Sequence, residues 1–258
     1  MDKTLNILAV GDVVGRAGRD VLASRLQGII DAGRVDFVIV NGENAAGGHS
    51  LTPDIFKSFM NADVDVVTTG NHVWDNSEVL KIISEDRLLR PANFPPGSPG
   101  KGICHVQKKG LTVSVINLLG RTLMAPIDCP FRAFDALYSE ECGASDIVIV
   151  DFHAEATSEK RAFGWYVDGR ASAVYGTHTH VQTADEEILP GGTGYLTDLG
   201  MTGAFDSVIG NKKEQAITKF LYQSKVQFTP ASDNPKINAA VFTVSSNGNT
   251  IAIKRINE

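Results

Sequence analysis

The chain has 258 residues, 43% of them hydrophobic and 21% charged, the make-up of a globular protein long enough to bury a sizeable core. Its 24 basic and 30 acidic residues leave a net charge of -6, which argues against a broad nucleic-acid-binding surface but not against a small anionic substrate beside a bound metal. Cys104, Cys129 and Cys142 form no Cys-x-x-Cys pair and read as reduced thiols, and neither a signal-peptide pattern nor an apolar run of membrane-spanning length is present, so a cytoplasmic protein without a membrane partner is expected.

Residues 5–10 are a short apolar run stopped by Gly11-Asp12, the pattern of a buried strand ending at a functional loop. Residues 17–31 place Val21, Leu22, Leu26, Ile29 and Ile30 at helical spacing, with Gly33 as the stop. A second buried strand, 37–40, ends at Asn41-Gly42-Glu43-Asn44. A glycine-containing loop over 45–50 follows, and Thr52-Pro53 opens a helix to about residue 60. A third strand, 64–68, ends at Gly70-Asn71-His72, and Asn76-Ser77 caps a helix to about residue 84. The proline-rich stretch 90–101 is an irregular loop. Residues 103–106 and 111–117 make a hairpin around Lys109-Gly110, and 118–130 a second irregular loop. A helix over 131–142 precedes a strand over 146–150, which ends at Asp151-Phe152-His153. A capped helix over 157–166 leads to the apolar run 171–175 and then to Gly176-Thr177-His178-Thr179-His180. After a turn at Gly191-Gly192, residues 212–223 are helical, and 236–245 with 250–256 form a closing hairpin. Strands alternating with helices predict one mixed α/β domain over residues 1–258, its sheets packed between helices.

Five of these strand ends carry polar or metal-competent groups: Asp12, Glu43 with Asn44, Asn71 with His72, His153, and His178 with His180. Singly, each has a dull explanation; Asp12, for example, suits a turn or a helix cap. Their recurrence points to a site beyond the carboxyl ends of the strands. On an extended backbone His178 and His180 face the same side, so one metal takes both or two metals take one each. Carboxylate and carboxamide oxygens with imidazole nitrogens suit two cations, which a shared carboxylate can bridge for ester hydrolysis at phosphorus. No Gly-x-Gly-x-x-Gly, phosphate-loop Gly-Lys-Ser/Thr or Gly-x-Ser-x-Gly competes with this reading.

Several stretches carry a resemblance: Gly11-Asp12-Val13-Val14-Gly15, Asn41-Gly42-Glu43-Asn44, Thr69-Gly70-Asn71-His72-Val73-Trp74-Asp75, Asp151-Phe152-His153-Ala154-Glu155, Gly176-Thr177-His178-Thr179-His180 and Thr197-Asp198-Leu199-Gly200-Met201. Together they resemble the calcineurin-like metallophosphoesterases, and among those the bacterial YmdB-like subgroup, over nearly the whole chain. Val14 stands where the wider superfamily has a histidine, and Glu43 where it has a bridging aspartate; both departures are the subgroup's own pattern. The resemblance implies an α/β (α+β) fold, a four-layer αββα sandwich with mixed sheets flanked by helices. It implies that Asp12 and His180 hold one metal with help from Asn44, that Asn71, His153 and His178 hold another, and that Glu43 bridges. His72 would stabilise phosphate oxygens or protonate the leaving group. The ions would be divalent or trivalent, iron or manganese ahead of zinc. The activity implied is a phosphodiesterase that opens 2′,3′-cyclic nucleotides by attack of a metal-bridging hydroxide, in a protein that assembles as a homo-oligomer. A broad phosphomonoesterase on the same site, or a regulatory scaffold whose metals hold loops for a partner, are the alternatives. Asp75 or Asp151 would orient a histidine. Arg16 is a candidate phosphate contact, with a solvated helix-start position as its competing reading. Loops 45–50, 91–101 and 118–130 are expected to wall the site, with Phe94 and Phe131 either packed or stacked on a base.

Overall fold

The computed structural model describes residues 3–258. In its first half the chain forms β1 (Thr4–Val10), β2 (Asp12–Val13), α1 (Gly15–Gly33), β3 (Phe37–Asn41), α2 (Pro53–Asn61), β4 (Val66–Thr68), a 3-10 helix (Ser77–Lys81), β5 (Leu88–Leu89), β6 (Ile103–Lys108) and β7 (Leu111–Leu119). The second half adds α3 (Pro130–Glu141), β8 (Ile147–His153), α4 (Thr157–Val167), β9 (Ala173–Thr177), β10 (Glu187–Ile188), β11 (Gly194–Leu196), β12 (Met201–Ala204), α5 (Lys213–Tyr222), β13 (Pro235–Lys236), β14 (Asn238–Ser245) and β15 (Thr250–Asn257).

Side-chain alternation along the strands decides the layers. In β1, Leu5, Ile7 and Ala9 enter a core shared by two sheets, while Leu8 and Val10 face the helices. In β3, Phe37 and Ile39 point inward and Val38 and Val40 outward. In β8, Ile147 and Ile149 join the shared core, and Val148 and Val150 the opposite face. One six-stranded sheet has the order β15-β14-β1-β3-β4-β5 and the other β10-β11-β9-β8-β7-β6. Against the outer face of the first sheet lie α1, through Val21, Leu22, Leu26 and Ile29, and α2, through Phe56 and Phe59. Phe134 of α3 and Phe163 and Val167 of α4 cover the second. The result is the four-layer αββα sandwich that the resemblance implied.

Both sheets are mixed. β1, β3 and β4 run parallel in the first, as do β7, β8 and β9 in the second. The carboxyl ends of β1, β3, β4, β8 and β9 therefore supply the polar strand ends noted in the sequence. A small sheet, β13-β12-β2, pins the first of them, because Asp12 pairs with Met201.

Several boundaries differ from the expectation. Helix α1 runs through Gly33, and Arg34 terminates it in the left-handed region at φ 49°. Asn76 does cap the next segment, accepting from Glu78 N–H, but only a 3-10 helix forms. Helix α4 has no side-chain cap; Thr157 is its first residue. Strands β8 and β9 extend past their apolar runs through His153 and Thr177. No helix among the described residues is long and apolar enough to cross a membrane.

Candidate functional site

Seven of the sequence-predicted residues converge where the two sheets meet. His153 Nε2 lies 3.0 Å from Asn71 Oδ1, 3.0 Å from Glu43 Oε1 and 3.1 Å from His178 Nδ1. A few ångströms away, His180 Nε2 lies 3.2 Å from Asn44 Oδ1 and 3.9 Å from Asp12 Oδ1. Asp12 joins the two groups by accepting the His178 backbone N–H at 3.1 Å through Oδ2. Its other oxygen, Oδ1, is buried with no hydrogen-bond partner. Gly70 leaves the necessary room: a Cβ there would sit 2.2 Å from Glu43 Oε2 and 2.4 Å from His153 Nε2.

The outer nitrogen of each imidazole meets an oxygen acceptor. His153 Nδ1 faces Thr177 Oγ1 at 2.8 Å, and that hydroxyl donates to Asp151 Oδ1 at 2.7 Å. His178 Nε2 faces Glu155 Oε2 at 3.1 Å, and His180 Nδ1 faces the Ile209 carbonyl at 2.8 Å. With those nitrogens carrying N–H, each imidazole in its neutral form turns a lone pair toward the cluster. Two lone pairs 3.1 Å apart, on His153 and His178, repel unless a proton or a cation lies between them.

The charges in this buried place are strongly perturbed. Burial opposes ionisation of Glu43, but the charge and hydrogen bond of His153 and the N–H of His72 hold its carboxyl at about 2. Burial disfavours the charged form of His153, and Glu43, followed by Asp12 and Asp151, outweighs it, raising the imidazole to about 9. Burial and then the neighbouring His153 push His178 down to about 3, keeping it neutral. Burial raises Asp12, against the pull of His180 and His153. Burial likewise lifts Asp151 to about 6 against His153 and the hydroxyls of Thr68 and Thr177.

His72 lies at the rim, its N–H donated to Glu43 Oε2 at 3.1 Å and its Nδ1 2.7 Å from Asp75 Oδ2. The rim opens on a cleft of about 370 Å³, which is large enough for a small ligand. A wider groove between α1 and β14–β15, about 610 Å³, holds no comparable cluster.

Other expectations need correction. His178 and His180 are not extended: φ is 97° and 66°, and the turns send one imidazole toward His153 and the other toward Asn44. Arg16 does not line the cleft; its side chain is 86% exposed and pairs with Asp20, so its competing reading as a solvated residue at the helix start holds. Of the three expected walls only loop 45–50 contributes. Residues 91–101 and 118–130 border a separate cavity, and Ile209, Asn211, Phe228 and Pro230 replace them. Phe94 packs on Trp74, and Phe131 on Phe163 and Tyr166, so of the two readings for these rings packing holds. Asp151 reaches His153 only through Thr177, a residue the sequence reading left out. Glu155, also missed, stood inside one of the quoted motifs.

The model of the YmdB-like protein family matches residues 8–256. The chain belongs to that family. A relative in Bacillus subtilis (strain 168), named 2′,3′-cyclic-nucleotide 2′-phosphodiesterase, is 47% identical over 241 residues, 93% of this chain and 91% of its own. The fold superposes with a TM-score of 0.94 on a hypothetical protein from Thermus thermophilus, 42% identical over 98% of this chain and 99% of that one. It also superposes with a TM-score of 0.95 on a novel phosphatase from Mycoplasma pneumoniae, 34% identical over all of this chain and 94% of that one.

Proposed function

We propose that the protein hydrolyses 2′,3′-cyclic nucleotides at a centre that binds two metal ions. Hydrolysis of phosphoric esters rests on membership of the YmdB-like family, whose relatives are named phosphodiesterase and phosphatase. The cyclic-nucleotide substrate is carried over from the 47%-identical relative.

The observation that carries the metal reading is the inward aim of three imidazole nitrogens whose outer nitrogens meet Thr177, Glu155 and the Ile209 carbonyl; a cation would take the place of the proton that Glu43 otherwise keeps on His153. The unpartnered Asp12 Oδ1 and the ionised, buried Glu43 supply the anionic complement. These donors fit cations of the iron, manganese and zinc type. Asn71, His153 and His178 would hold one ion, Asp12, Asn44 and His180 the other, and Glu43 would stand between them. When bound, two such ions neutralise charge on a phosphoryl group and make water a stronger nucleophile at neutral pH.

The chain's own residues do the rest. Asp75 orients His72 through Nδ1, which leaves Nε2 to donate a proton to the departing ribose oxygen. The His72 N–H fixes the second oxygen of Glu43, so that this carboxylate cannot swing away. Phe228, half exposed at the cleft, offers an apolar face to a nucleobase.

Metal analysis of purified protein, joined to a panel of 2′,3′- and 3′,5′-cyclic nucleotides and simple phosphomonoesters, tests the proposal. Two ions per chain and preferential opening of the 2′,3′-cyclic ring are expected. Fewer than two ions in fully active protein refutes the binuclear centre, and faster turnover of monoesters refutes the substrate.

A further inference from the structure

Loop 45–50 carries a histidine that the deep cluster leaves unused. His49 Nδ1 lies 3.4 Å from His72 Nδ1 and 3.2 Å from Asp75 Oδ2, while His72 Nδ1 lies 2.7 Å from that same oxygen. Two imidazoles and a carboxylate thus bring one candidate ligand atom each within hydrogen-bonding distance of the other two. Tetrahedral zinc with nitrogen and oxygen ligands spaces them about 3.3 Å apart. Two sides of the triangle already match, and the third needs only a small opening.

The backbone prepares this arrangement. Gly47 and Gly48, at φ 68° and 100°, turn the loop back toward the rim. Ser50 Oγ donates to the Val73 carbonyl at 2.7 Å, tying the loop to the turn that bears His72 and Asp75. Asp75 N–H donates to the His72 carbonyl at 3.0 Å, and the two imidazoles pack edge to face at 4.9 Å. Without a cation, two ring N–H groups compete for one carboxylate oxygen. A cation would accept a lone pair from all three.

We infer that His49, His72 and Asp75 form a separate binding site for a borderline divalent transition metal such as Zn2+ at the mouth of the cleft. Two imidazoles and one carboxylate favour Zn2+, Co2+ or Fe2+ over Mg2+ or Ca2+, which prefer all-oxygen shells. Three protein ligands leave a coordination position open to water. His49 is 61% exposed on its side chain, so ions in solution reach the site directly. Filling the site fixes His72 to the ion in place of Asp75 and slows hydrolysis. That consequence rests on the role proposed above for His72; the site itself does not.

Equilibrium dialysis against Zn2+ over a range of free concentrations, with ions counted per chain, compares the native protein with His49→Ala and Asp75→Asn. Each variant is expected to bind one ion fewer, or to bind that ion at least about 100-fold more weakly. Equal counts and affinities overturn the site. Because the readout is a difference between proteins, failure of the binuclear centre lowers every count and leaves the difference in place. In a parallel assay excess Zn2+ inhibits the native protein at concentrations that spare His49→Ala; equal inhibition overturns the assigned effect on His72.

Discussion

Lys160 is the side chain whose loss the structure makes most legible. It is 2% exposed, and its Nζ donates to Asp198 Oδ2 at 2.5 Å and to the Thr177 carbonyl at 2.8 Å. Asp198 also accepts from the Thr179 hydroxyl at 2.8 Å and the Gly200 N–H at 2.8 Å. One ion pair therefore holds the segment that carries His178 and His180. Lys160→Met keeps the bulk and removes the charge. Leaving one partner of a buried pair uncompensated costs about 3–5 kcal/mol. The hydrogen bonds that Asp198 retains place the cost at the lower end, about 3 kcal/mol, which lowers Tm by roughly 6–12 °C for a chain of this size. Urea unfolding followed by circular dichroism measures the loss directly. Lys160→Met combined with Asp198→Asn removes both charges and is expected to recover at least half of it. A single variant within about 1 kcal/mol of the native protein would refute the reasoning. A double variant no more stable than the single one would show that the charge is not what matters.

Glu43→Gln keeps the shape of the central carboxylate and removes its charge; turnover of a 2′,3′-cyclic nucleotide is expected to fall by about 1,000-fold or more. Thr177→Val removes the hydroxyl between His153 and Asp151, with an expected cost of about 1–3 kcal/mol in stability and about 10–100-fold in metal affinity, measured by unfolding and dialysis. Burial pushes the Cys104 thiol up to about 12, so iodoacetamide at pH 9 should label Cys129 well before Cys104, and equal rates would refute the assignment. The sign follows: the folded state favours the neutral thiol, so this contribution to stability is complete below about pH 8.5 and fades as the pH climbs toward 12.

The sequence was most readable where an apolar strand stops at a polar group, because burial and chemistry then change within one residue. Asp12, Glu43, Asn71 and His153 were legible for that reason, and so were the sheets that carry them. His178 and His180 were placed correctly along the chain but wrongly in conformation. Alternation assumes an extended backbone, and both residues leave it for the left-handed region. Residues 205–230 contribute Ile209, Asn211, Phe228 and Pro230 to the cleft, yet outside α5 they show neither helical nor strand periodicity. Isolated bridges such as Val208 to Asn211 and Asn211 to Pro230 hold them. The Thr177 hydroxyl was invisible for another reason: a threonine ending an apolar strand reads as β-propensity, and only tertiary structure places it between Asp151 and His153.

The seam between the two sheets also fixes when the site can exist during synthesis. A nascent chain that has reached residue 170 already holds Asp12, Glu43, Asn44, Asn71 and His153, but the partners Thr177, His178 and His180 are still unmade. Strand β1 waits longer, since its antiparallel neighbour β14 begins only at Asn238. Until then the edge of β1 that pairs with β14 stays open, the condition in which folding intermediates associate wrongly. Metal-binding capacity should therefore appear abruptly once β14 has been made, and the first 170 residues made alone should be insoluble.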